Sequence, residues 1–111
     1  MSKAIVILNY NGKQHLQTYL PSVVENSPGW TIFVADNAST DSSISFLKEH
    51  YAQIQIIELN QNFGFAGGYN EALQQLAGQF EFYFILNSCV QAYNFCIKAV
   101  DAIIHITFFI Y

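Results

Sequence analysis

Apolar positions along the chain gather into four short runs: AIVIL from Ala4 to Leu8, TIFVA from Thr31 to Ala35, IQIIEL from Ile54 to Leu59 and FEFYFIL from Phe80 to Leu86. They are rich in β-branched and aromatic residues and mostly continuous rather than alternating, as strands covered on both faces read. Between them the apolar residues recur every three or four positions: Leu16, Tyr19, Leu20, Val23 and Val24; then Ile44, Leu47 and Tyr51; then Tyr69, Ala72, Leu73 and Leu76. That spacing predicts three helices, each with one buried stripe. The order β-α-β-α-β-α-β predicts an α/β fold with a mostly parallel sheet between helical layers.

Local signals refine the elements. Pro21 lacks a backbone donor and predicts a kink, or two short pieces, in the first helix. Ser39 or Thr40 can cap the second, where Asp41 complements the positive helix end. Gly78 is placed to terminate the third.

Ligands of doubly wound sheets collect at the carboxyl ends of the strands, so the residues after each run carry the candidate chemistry. They are Asn9, Tyr10, Asn11 and Gly12; Asp36, Asn37, Ala38, Ser39 and Thr40; Asn60, Gln61, Asn62, Phe63 and Gly64; and Asn87, Ser88 and Cys89. Amide and carboxylate side chains there can hydrogen-bond a base edge, a ribose or a sugar hydroxyl, because an amide both donates and accepts. The same residue types are also good turn formers. Gly64, Gly67 and Gly68 open the third helix, where they allow close backbone approach or simply close helix packing. The segment fits neither GxGxxG nor the phosphate loop ending in GK[ST].

Composition narrows the classes. The chain has 111 residues, 52% of them apolar, enough for one domain with a core. Its net charge is −4 and only 11% of residues are charged, which argues against a nucleic-acid partner. Cys89 and Cys96 match neither a zinc spacing nor a disulfide scaffold, which favours a reduced, cytoplasmic setting. His15, His50 and His105 are scattered without a metal-ligand spacing, and no GxSxG is present. The apolar ending AVDAIIHITFFIY is shorter than a membrane-spanning helix and predicts a buried strand or an amphipathic helix.

Taken together, VILNYNG, VADNASTD, NQNFGFAGGYNEAL and FILNS resemble the N-terminal part of family 2 glycosyltransferases of the GT-A fold, particularly the rhamnosyltransferase-like bacterial branch. The resemblance runs from Ala4 to about Ser88. It implies a Rossmann-like three-layer sandwich and transfer of a sugar from a UDP- or dTDP-linked donor to an acceptor hydroxyl, in bacterial cell-surface polysaccharide biosynthesis. By position, Asp36 would accept from the base, with Asn9, Asn11 and Asn37 near the nucleotide. Asn62, Gly64, Gly67 and Gly68 would line its wall, and Asn87 would open the metal motif. That motif reads Asn-x-Asp in this branch, its Asp holding Mn²⁺ or Mg²⁺ against the donor diphosphate.

Here the third position is Cys89. A neutral thiol is a poor ligand for such hard ions, so the expectation is impaired metal-dependent transfer. The resemblance also implies a C-terminal half with the acceptor pocket and a catalytic base, whereas QAYNFCIKAVDAIIHITFFIY does not resemble the family's sequence beyond the metal motif. The expected organisation is a nucleotide-sugar-binding half over 1–88 and a divergent apolar tail over 89–111, produced by truncation or a frameshift near Cys89 or else a natural divergent ending. The catalytic residues stay unassigned. The alternative is a non-catalytic nucleotide-binding or assembly module that associates with a second copy through the tail.

Overall fold

The computed structural model describes residues 2–87 and 107–108. Its elements run β1 (Lys3–Asn9), α1 (Lys13–Asn26), β2 (Thr31–Asp36), α2 (Ser43–His50), β3 (Gln55–Glu58), α3 (Gly64–Gln75), β4 (Phe82–Asn87) and β5 (Thr107–Phe108). The strands form one sheet in the order β3-β2-β1-β4-β5, and every described pairing is parallel. Within the apolar ending, Thr107 and Phe108 therefore add a strand beside Phe84 and Ile85; the rest of 89–111 lies outside the described residues.

Alternation along β1 explains the layers. Ile5 and Ile7 face a core with Leu16, Leu20 and Val23 of α1 and Leu47 of α2, while Ala4, Val6 and Leu8 face Tyr69 and Ala72 of α3 and Leu76 just beyond it. Both faces of the strand are covered, hence its unbroken apolar run. Leu16, Leu20 and Val23 recur at intervals of four and three, the stripe a sheet-packed helix needs. Each such side chain, fully buried, contributes about 1.5–3 kcal/mol.

Four elements refine the sequence-based expectation. Helix α1 runs through Pro21 as one helix rather than two pieces, and Pro21 and Gln17, whose carbonyl loses its helical partner, both face solvent. The third apolar run forms only a four-residue edge strand with exposed Gln55 and Glu58. At the start of α2 neither Ser39 nor Thr40 caps the helix; the cap position is Ser42, without a side-chain cap bond, and Asp41 just before it accepts from the amide and hydroxyl of Ser43. Helix α3 ends at Gln75, and Gly78 turns the chain with φ +76° three residues later.

Candidate functional site

Sheet order locates the site. From β1 the chain builds outward through β2 and β3, then returns to place β4 on the other flank of β1. Such a reversal opens a crevice beyond the carboxyl ends of the two strands that part there. The register aligns those ends: Asn9 stands opposite Asp36, and Leu8 opposite the backbone of Asn87.

Asn9 and Asp36 form the floor. Both are buried, and Asn9 Nδ2 donates to Asp36 Oδ1 at 2.9 Å. The same oxygen accepts from Ser39 Oγ at 2.7 Å, while Oδ2 accepts from the Ser39 amide at 2.9 Å. The carboxylate is thus committed to holding the β2–α2 loop, and with 1% exposure it lies beneath the surface rather than on it. This commitment supports Ala38, which adopts φ +60° despite its side chain. Asn9 Oδ1 has no hydrogen-bond partner among the described residues.

Asn11 braces the rim. Its own φ is +49°, a left-handed conformation that asparagine tolerates better than most residues. Asn11 Oδ1 accepts from the amides of Thr40 and Asp41 at 2.7 and 3.1 Å, and its own amide donates to Ser39 Oγ at 2.9 Å. Asp41 closes the arrangement by accepting from the Lys13 amide at 3.2 Å.

Burial is the strongest single influence on Asp41 and opposes ionisation, but hydrogen bonds from Ser43 and Lys13, with the Lys13 charge, outweigh it. The carboxyl therefore sits below its ordinary value. A depressed folded-state pKa contributes stability that is complete above the unfolded value and lost as pH falls through the folded one. Asp41→Asn should accordingly be less stable than the wild type at neutral pH, with the gap closing in acid. Urea denaturation at pH 7 and at steps below pH 4 would check this; a gap independent of pH would refute it.

Asn37 ties the third loop in. It is buried, its Nδ2 donates to the Gly64 carbonyl at 2.9 Å, and its Oδ1 accepts from the Phe63 amide at 3.0 Å. Asn62 Oδ1 accepts from the Gly64 amide at 2.8 Å, with Gly64 at φ +77°. One turn on, a Cβ on Gly68 would lie 2.7 Å from Leu8 Cδ1 and 2.8 Å from Asn37 Nδ2, so only glycine lets α3 approach this closely. By contrast, a Cβ on Gly67 would meet only Phe63 Cβ, at 3.1 Å. Tyr69 completes the link by donating from its hydroxyl to the Leu86 carbonyl at 2.9 Å, next to the end of β4.

The structure thus brings Asn9, Asn11, Asp36, Asn37, Asn62, Gly64, Gly67, Gly68 and the Asn87 backbone to one edge of the sheet. Ser88 and Cys89 lie outside the described residues. Ser39 and Thr40, read in sequence as strand-end residues or helix caps, and Asp41, read as complementing the helix end, brace the rim through bonds that no sequence pattern announced. Tyr10 and Phe65 are the exposed large apolar side chains among the described residues, at 51% and 46% exposure. No pattern distinguishes an aromatic at a helix start that is open from one that is buried. Among the described residues no three His, Cys, Asp or Glu side chains gather to hold a metal, and no helix is long and apolar enough to cross a membrane.

A parallel sheet with helices on both faces and a polar, braced edge at its switch point defines an α/β domain of the Rossmann-like type. Residues 4–88 match the glycosyl transferase family 2, and the chain belongs to that family. It is similar to TuaG of Bacillus subtilis, named for a glycosyltransferase of teichuronic acid biosynthesis, with 26% identity over 81 residues, 69% of this chain and 32% of TuaG. The fold is that of Staphylococcus aureus TarS residues 1–349, solved with UDP-GlcNAc, at TM-score 0.75 and 20% identity, covering 92% of this chain and 30% of that one. A mannosyltransferase of Pyrobaculum calidifontis, solved with GDP-Man and Mn²⁺, gives TM-score 0.72 and 20% identity, covering 88% of this chain and 31% of its own. The chain spans about a third of the length of TuaG.

Proposed function

We propose that this chain supplies the donor subsite of a family 2 glycosyltransferase, holding the nucleoside diphosphate of a UDP- or dTDP-sugar at the carboxyl edge of its sheet. The observation that carries the reading is the convergence of three loops at the switch point, tied by side-chain bonds across 26 to 30 residues of sequence. Turn formation alone does not need bonds between loops; a preorganised ligand edge does.

Within this reading Tyr10 offers an exposed ring for a base to stack on. Asn9, Asp36 and Asn37 act beneath the surface, keeping the rim in place. The backbone from Asn62 to Gly68 forms the nucleotide wall, reached closely because glycines leave it uncovered. The reaction served is attack of an acceptor hydroxyl oxygen on the anomeric carbon. The bond from that carbon to the diphosphate oxygen breaks, the nucleoside diphosphate leaves with the bonding pair, and the hydroxyl proton passes to a base. No described residue is assigned as that base.

The described residues gather no ligand set for a divalent cation, and the family's metal motif falls by position at Asn87 to Cys89, at their edge. By the resemblance Cys89 stands where the family places an oxygen ligand, and a thiol suits hard ions poorly, so a weak dependence on Mn²⁺ is the expected result. Calorimetric titration with UDP and dTDP, with and without Mn²⁺, tests both points. Saturable binding of either nucleotide, little changed by Mn²⁺, is expected. Absence of binding by a folded chain would sink the donor-site reading, and a stable dimer under those conditions would favour an assembly module instead.

A further inference from the structure

Phe65 stands in the first turn of α3 with nearly half its surface open, and its setting is rigid. On one side the backbone of Phe63 and Gly64 is gripped by both ends of the buried Asn37 amide, at 3.0 and 2.9 Å. On the other, the Phe65 ring meets the Tyr69 ring edge to face, 5.2 Å between centroids at 79°. Tyr69 is itself anchored through its hydroxyl to Leu86 of β4. Beneath, Gly68 keeps this turn against Leu8 and Asn37. An exposed ring with its backbone and one edge fixed loses little freedom when a flat partner covers it, which is the economical way to build a stacking surface.

We propose that Phe65 is a contact residue for the base or ribose of the donor nucleotide, and that Asn37 is a positioning residue acting through it. This rests on the donor-site reading above and adds a second aromatic surface besides Tyr10. Asn37 acts from beneath, since it is buried at 2% exposure and its amide holds the Phe63 and Gly64 backbone.

The test is a double-mutant cycle read by UDP affinity in the full chain. UDP carries no sugar, so an effect on its binding assigns the contact to the nucleotide and not to the transferred group. Phe65→Ala should weaken UDP binding by about tenfold, within the range expected for losing one stacked aromatic, while Phe65→Trp should retain it. Asn37→Ala should cause a loss of similar size, and the double variant should bind no worse than Phe65→Ala alone, because the two act through one contact. If Asn37→Ala does not fold, Asn37→Asp keeps the acceptor for Phe63 but sets a carboxyl oxygen against the Gly64 carbonyl, so a loss of similar size is again expected. Wild-type binding that Phe65→Ala leaves unchanged would overturn this inference alone, as would additive losses for the Asn37 part. Failure of the wild type to bind UDP would overturn the parent reading as well.

Discussion

Asp36→Ala is expected to remove about 3 kcal/mol of stability, a large share of the 5–15 kcal/mol typical of a small domain. The carboxylate accepts three hydrogen bonds, from Asn9 Nδ2, Ser39 Oγ and the Ser39 amide. Ser39 is only half-buried, so water can satisfy part of the loss, but the Asn9 amide is fully enclosed and keeps only a long 3.4 Å contact to Ser39 Oγ. A buried donor without an acceptor costs most of its desolvation energy. Asp36→Asn keeps the shape but turns an amide group toward donors that need an acceptor, so it should recover only part of the stability. Urea unfolding of the three proteins would measure this, and a loss below about 1 kcal/mol for the alanine variant would contradict the brace. The nucleotide affinity of any folded Asp36 variant should fall too, because Ala38 and the loop it shapes lose their support.

Gly68 should give the other large effect, and here two terms compete. Alanine in a helix interior gains about 1 kcal/mol over glycine. Against this, the added Cβ would sit inside the radii of Leu8 Cδ1 and Asn37 Nδ2, and overpacking of this kind costs about 1–3 kcal/mol. Leu8 can yield by rotating its side chain, whereas Asn37 cannot move without releasing Phe63 or Gly64. Gly68→Ala should therefore be close to neutral or mildly destabilising, yet weaken UDP binding. Gly68→Val has less helix propensity to offset a larger clash and should lose about 3 kcal/mol or more. Thermal unfolding with parallel UDP titrations separates the terms; a fully stable, fully binding valine variant would show that the close approach is not needed.

Much of the architecture was legible because two periodicities do not overlap. Ala4 to Leu8 and Thr31 to Ala35 are continuous since both faces of β1 and β2 are packed, and Leu16, Leu20 and Val23 keep the stripe of a helix lying on that sheet. The edge position of β3 was not legible, because Ile54 and Leu59, which flank it, complete an apolar run without forming part of the strand. Whether Pro21 would split its helix was not legible either, because that depends on whether the orphaned carbonyl faces core or water. In the site, the Asn-rich strand ends announced their location, but not the division of labour among them. Asp36 and Asn37, expected from sequence beside the nucleotide, are buried and bond backbone and neighbouring side chains, a bracing role that the sequence did not announce. Only the strand register reveals that Asn9 and Asp36 stand face to face.

The short β3 strand sets a direction for growth. Its outward side chains include the charged Glu58, and it offers only four residues of backbone, both of which discourage a further strand from adding to that margin. The opposite flank differs, since Thr107 and Phe108 already extend the sheet past β4. The loop-braced ends of β1 and β2 thus keep a closed margin beside them at β3, while the sheet widens in this chain past β4.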